Sequence, residues 1–202
     1  MMAEKIAIEI FRKKPPEELT TALSEPDSRT DVGSGTALTA SVAAAFLHRA
    51  ASIVAESEPD QERVEYIRRN AETLRMYMVH LIDEDVKSRG PLRRAVKEND
   101  SLAAEAARQP AVAICGEIVN MMTHCLDLLC ELADHSSKEA ERFILSSAEL
   151  AMGAIRASMR YIVDMGTRSS DETYRYIIRR ENEITLEQYS AVYAQILDKL
   201  NK

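Results

Sequence analysis

Apolar residues recur along most of this chain at spacings of three and four, the period of an α-helix packed on one side. Ile118, Met121, Met122, Cys125, Leu128, Leu129 and Leu132 form one such stripe, and Ile144, Ala148, Ala151, Ile155, Met159 and Ile162 form the next. A third runs through Tyr174, Ile177, Ile178, Tyr189, Val192, Tyr193, Ile196 and Leu200. With their flanking signals these stripes predict five long helices. The first covers Thr36 to Ser57, and the second runs from near Pro59 toward Arg89, where Gly90-Pro91 breaks or kinks it. The third starts between Asn99 and Ser101 and reaches about Ala133, with Pro110 as an internal kink. The fourth opens at Ser136 or Ser137, either of which can cap it, and ends near Gly166. The fifth begins at "SSDE" and continues to the C-terminus.

Pro15-Pro16 followed by "EELTTALSE" adds a short helix, and "PDSRTDVGSG" reads as a turn-rich linker. Residues 1–16 form an N-terminal arm whose "KIAIEIF" is either strand-like or a frayed helix, and residues 17–202 form a single domain. No strand pattern of comparable length competes. Short connections between long helices imply antiparallel neighbours, so the expected fold is all-α, an elongated up-and-down bundle of about five helices.

Charge and composition narrow the partners. The formal net charge is −7, and the basic pairs such as Arg68-Arg69 and Arg93-Arg94 sit among acids, which argues against a nucleic-acid partner. The N-terminus lacks the order of a signal peptide. The most apolar segment, 37–54, contains His48 and Arg49 and is too polar and too short for a membrane span, so a cytoplasmic protein with no membrane partner is expected. Cys115, Cys125 and Cys130 lie on one apolar helical segment without metal-ligand spacing. They read as buried reduced thiols, and no metal is expected.

Candidate chemistry lies where polar residues intrude on apolar stripes. Leu74, Met78 and Leu81 continue at helical spacing to Asp85, which places that carboxylate on the inward face, while Asp83 lies about 200° around the helix from it. Asp85 is either a helix-end residue reaching water or a groove-lining acid/base with a raised pKa. Glu117, Asn120 and His124 share a face that is either solvated or lines a ligand groove. Arg156 and Arg160, one turn apart, make either an anion clamp or a solvated, ion-paired face. The segment Gly33-Ser34-Gly35-Thr36 lacks the lysine of a phosphate-binding P-loop, and its backbone is a candidate cradle for an anion at a helix start, with Asp31, Ser34 and Thr36 as capping candidates. No nucleophile or paired metal-carboxylate motif is present.

The order of these features resembles the cyclodeaminase/cyclohydrolase family, which comprises the C-terminal domain of formiminotransferase-cyclodeaminase and free-standing methenyltetrahydrofolate cyclohydrolases. Its Pro-Gly-Gly-Gly-Ser segment opening an alanine-rich helix is similar to "VGSGTALTASVAAAFL", and its acidic second-helix end to "LRMYMVHLIDEDV". Its third-helix proline matches Pro110 in "ARQPAVA", and its fourth helix ending in an aspartate matches "AIRASMRYIVDM" with Asp164. The resemblance implies a dimer acting on a one-carbon tetrahydrofolate derivative, by cyclodeamination or cyclohydrolysis. Asp85 would be the catalytic residue, and Gly33, Ser34, Gly35 and Thr36 would hold an anionic part of the ligand.

The departures are specific. Val32 and Ser34 replace the proline and one glycine of the loop, and "SEPDQERVEY" lacks the family's lysine. Ala154 and Ser158 stand where the family has paired asparagines, and Ser88-Arg89 where it has Ala-Phe. Two alternatives therefore accompany the folate reading. One is a catalytically silent, dimeric binding or assembly protein, with the tyrosines of the fifth helix at its interface. The other is a site for a different small anionic ligand that recruits His124, Arg156 or Arg160.

Overall fold

The computed structural model describes residues 10–57 and 62–201. The strand-like or frayed-helix reading of the first nine residues, and the expected start of the second long helix at Pro59, lie outside the described residues. The rest is helical, with no strand among the described residues. Five long helices carry the fold: α2 (Val32–Ser57), α3 (Glu62–Ser88), α5 (Ser101–Leu132), α6 (Lys138–Thr167) and α7 (Glu172–Leu200). Two short ones, α1 (Pro16–Ser24) and α4 (Gly90–Lys97), fill the ends, and Phe11–Lys13 and Ala133–His135 are single 3₁₀ turns.

Local chemistry sets the boundaries. Asp100, Ser137 and Asp171 cap α5, α6 and α7 by accepting from the backbone N–H groups of Ala103, Ala140 and Tyr174. The break at Gly90-Pro91 turns the chain into the separate helix α4, with its proline in the first turn where no amide is needed. Helix α5 runs unbroken through Pro110, which cannot supply the amide that would bond the Ala106 carbonyl. Helix α2 starts four residues earlier than the alanine-rich pattern suggests. The Asp31 carboxylate accepts from the Val32 N–H at 2.6 Å, and its carbonyl takes the Gly35 N–H at 3.0 Å, so the glycines form the first turn.

Helix α2 is the hub, packing against α3, α5 and α6. Ala37, Ala40, Ala43, Ala44, Ala50 and Ala51 are all fully buried, and these small side chains let neighbouring helices approach closely. One buried polar bond crosses the centre, from Ser147 Oγ of α6 to the Ala43 carbonyl of α2 at 2.7 Å. The main core spans the four helices, and a second cluster of Leu92, Ala95, Ala104, Ala107, Ala111, Val112 and Met165 seals α4 against α5 and the end of α6. Helix α2 reaches the dimensions of a membrane span, against the expectation that its 37–54 segment is too short and too polar, and so does the stretch 101–135. Half or more of that apolar stretch in each is buried inside the bundle.

Candidate functional site: a buried acid at a helix start

Asp85 is fully buried on the inner face of α3, as its place on the Leu74–Met78–Leu81 stripe predicts. Its Oδ2 accepts two hydrogen bonds from the first turn of α2, from the Ser34 N–H at 2.9 Å and the Ser34 hydroxyl at 2.7 Å. The group seated at this helix start is thus the chain's own Asp85 carboxyl, set against the first-turn N–H groups and the positive end of the helix dipole. Gly33 makes the approach possible. A Cβ there would lie 2.5 Å from Asp85 Cγ and closer still to Oδ1.

The second oxygen of Asp85, Oδ1, has no hydrogen-bond partner. It belongs to a group of such atoms. The four buried side-chain polar atoms without partners among the described residues are Asp85 Oδ1, Arg89 Nε, Ser158 Oγ and Tyr161 Oη. All four belong to one set of neighbours. The Arg89 guanidinium lies 5.3 Å from the Tyr161 ring centroid, and Cys115 of α5 stands within electrostatic reach of Asp85, Arg89 and Ser158. Arg89 also forms an ion pair with Asp31. Buried polar atoms almost always find partners, so four orphans in one place describe a preformed polar site among α2, α3, α5 and α6.

Burial dominates the electrostatics of this site. It raises the pKa of Asp85 above the ordinary carboxylate value, against the two Ser34 hydrogen bonds and the positive charge of Arg93, which lower it. Burial likewise lowers Arg89, raises Tyr161, and pushes the Cys115 thiol up to about 12, with the Asp85 charge adding to the last. A buried carboxyl that holds its proton more tightly than a free one is suited to donate it to a leaving group and take one back. A cavity of about 530 Å³ opens at the start of α2, lined by Ser28, Asp31, Gly35 and Arg93 among others, and Asp31, the ion-pair partner of Arg89, is its link to the cluster.

The other candidates separate from this cluster. Thr36 turns its hydroxyl back on the Val32 and Gly33 carbonyls, at 2.9 and 3.1 Å. Asp83, on the far side of α3, instead holds the N-terminal segment by accepting from the Phe11 N–H at 2.7 Å and pairing with Arg12 at 3.4 Å. Glu117 accepts from the Tyr77 hydroxyl at 2.5 Å. His124 is half-buried nine residues beyond Cys115, about 13 Å along α5 at 1.5 Å per residue. Asp164 is exposed and paired with Arg168 at 2.9 Å, and Arg156 and Arg160 are exposed on the outer side of α6. Among the described residues no three His, Cys, Asp or Glu side chains converge where they could hold a metal ion.

Sequence reasoning missed Arg89, Cys115 and Tyr161 as site members, and treated Ser158 and Arg89 only as losses from a family pattern. A signal existed for two of them. Arg89 follows Asp85 by four residues, and Ser158 lies on the inner face of α6 between Ile155 and Ile162.

These features define the class: an all-α bundle with a buried acid docked on the first turn of a small-residue helix. The chain belongs to the formiminotransferase-cyclodeaminase family, whose model matches residues 16–183. A crystal structure of formiminotetrahydrofolate cyclodeaminase from Thermotoga maritima is similar in fold, with a TM-score of 0.85 at 18% identity. The match covers 94% of this chain and 96% of that one. No curated protein matches the chain.

Proposed function

We propose that the Asp85 cluster is the reacting end of a site for a one-carbon tetrahydrofolate derivative, working by cyclodeamination or cyclohydrolysis. The observation that carries this reading is the gathering of all four unpartnered buried polar atoms around a carboxyl with a raised pKa. Family membership supports this substrate class. In cyclodeamination, Asp85 in its neutral form gives its proton to the departing nitrogen as the ring nitrogen closes on the one-carbon unit. The carboxylate that remains takes up the proton released by the attacking nitrogen. Arg89 stabilises the carboxylate between these steps, and the Tyr161 and Ser158 hydroxyls orient the one-carbon unit. The cavity beside α2 receives the rest of the ligand, with Arg93 facing an anionic group.

Thermal shift with 5-formiminotetrahydrofolate and 5,10-methenyltetrahydrofolate tests this. A ligand at about 100 times its Kd adds about 2.7 kcal/mol, which raises Tm by roughly 5–10 °C for a chain of this size. The Asp85→Asn variant should keep the shift and lose turnover. No shift with either folate removes the reading. A shift without turnover in the unaltered chain selects the silent-homologue alternative, which draws support from the complete burial of Asp85 and the Arg89–Asp31 ion pair.

A further inference from the structure

Helix α7 is docked near its start and along its last third, where Tyr189, Val192 and Tyr193 pack on the main core, and it is less closely packed between. Ile178 and Ile196 are its buried residues, and nothing between them is buried. Near its start Ile178 packs on Gly166, where a Cβ would come within 3.3 Å of it. Near its end the Tyr193 hydroxyl bonds Glu149 of α6, and Ile196 enters the main core. Beneath the intervening stretch lies a cavity of about 650 Å³ between α6 and α7. A second of about 330 Å³ on the α5 side shares Met159 and Asn182 with it. The larger volume falls in the range of pockets that bury small organic ligands.

The walls of the larger cavity have a distinctive chemistry. Its apolar part is Met159, Val163 and Leu186, and three arginines stand around it: Arg156 and Arg160 from α6, Arg179 from α7. Other arginines on these helices are paired with nearby acids, as in Arg142–Glu139, Arg168–Asp164, Arg175–Glu172 and Arg180–Glu183. Among the described residues, Arg156, Arg160 and Arg179 make no hydrogen bond or ion pair. Glu183, the acid in the same wall, is engaged by Arg180 at 3.4 Å. Three unpaired guanidinium groups over an apolar floor, on a chain whose net charge is −7, form a local positive field with fork-shaped donors suited to carboxylate or phosphate.

We propose that the groove between α6 and α7 is a binding site for an amphipathic organic anion. Its carboxylate or phosphate head is held by Arg156, Arg160 and Arg179, and its apolar body lies on Met159, Val163 and Leu186. This site is separate from the Asp85 cluster. Arg156 and Arg160 each lie about 200° around α6 from Ser158, so the two sites use opposite faces of one helix.

Isothermal titration with octanoate and octyl phosphate, and with octanol as the neutral control, tests the proposal. Both anions should bind saturably at one site per chain, and octanol at least about tenfold more weakly, a difference of about 1.4 kcal/mol. The Arg160→Ala/Arg179→Ala double variant should lose at least about tenfold in affinity for both anions, with a circular dichroism spectrum and Tm like those of the unaltered chain. Leu186→Asp, which places a carboxylate in the apolar wall at an exposed position, should do the same. Asp85→Asn should leave octanoate binding unchanged, which keeps this result distinct from any failure of the folate reading. Equal affinity for octanol, or an undiminished affinity in the double variant, overturns the proposal. So does a dimer, seen by light scattering, that dissociates on the same substitutions, because the groove then belongs to a second copy of the chain.

Discussion

Replacing Gly33 by alanine separates a structural role for this glycine from simple helix propensity. Alanine is the better helix former by about 1 kcal/mol, so an unencumbered glycine in a helix gains stability from the change. Gly33 is encumbered. The new methyl group would stand 2.5 Å from Asp85 Cγ, well inside contact distance, so either α2 moves away or the carboxyl turns. Both responses break the two hydrogen bonds from Ser34 to Asp85 Oδ2, at 2.9 and 2.7 Å. Bonds to a charged group contribute about 1.5–3 kcal/mol each, but burial favours the neutral carboxyl and places these at the low end. After the propensity gain is subtracted, Gly33→Ala should destabilise the chain by about 2–4 kcal/mol.

For a chain of this length that lowers Tm by roughly 5–15 °C. Gly35→Ala is the matched control. Its Cβ meets only Leu23 Cδ2 at 3.6 Å, an ordinary contact, and the variant should melt at or slightly above the unaltered chain. Calorimetric melts of both variants, with Asp85→Ala and the Gly33→Ala/Asp85→Ala double variant, complete a cycle in which the Gly33 cost should largely vanish once the carboxyl is gone. A Gly33→Ala variant as stable as the unaltered chain, or a cost that persists without Asp85, refutes the close-approach argument.

Burial raises the Asp85 pKa, so the folded chain holds that proton more tightly than the unfolded chain. The stability of the neutral form is complete below the unfolded value, near 4, and is lost as pH rises through the raised folded value. Asp85→Asn should therefore melt level with the unaltered chain near pH 4 and above it at pH 8; a difference that shrinks with rising pH contradicts this. The Cys115 and Cys125 thiols, both pushed up to about 12 by burial, should resist a disulfide reagent at pH 8 in the folded chain. Cys130, only partly buried, should react alone, and three equally fast thiols would exclude this arrangement. Asp83→Ala removes the acceptor for the Phe11 and Arg12 amides and should cost about 1–3 kcal/mol. Limited trypsin digestion after Arg12 and Lys13 should accelerate in that variant, and an unchanged rate counts against Asp83 as the anchor.

The helices were legible because burial is periodic. A residue such as Leu81 announces its face through its neighbours at three and four, and the caps and Gly90-Pro91 set most ends. The inward position of Asp85 followed from the same periodicity. What surrounds Asp85 did not, because Ser34, Arg89, Cys115, Ser158 and Tyr161 come from three helices and the α3–α4 junction, whose placement about one another no local pattern encodes. The start of α2 was misplaced for a related reason. Glycines usually mark a linker, and only the Asp85 carboxyl arriving from α3 makes a glycine necessary inside that first turn. Arg156 was legible as an exposed cation, but its lack of a counter-ion depends on where α7 crosses.

Helix α5 passes from the smaller cluster to the main core between Val112 and Ile114, just beyond Pro110, and this division bears on how the molecule breathes. The segment from α4 to Val112 rests on the smaller cluster, and its Ala106 carbonyl has no amide from Pro110 to hold it. Amide hydrogens there should exchange with solvent before those of α2, as a cooperative unit of their own. Tyr161 packs against that smaller cluster while its hydroxyl faces the Asp85 site. A local opening of that seam should loosen Tyr161 and expose the polar centre from one end. If this opening controls access to the polar centre, a better-filled seam around Ala107 should slow entry without altering any group that meets a ligand.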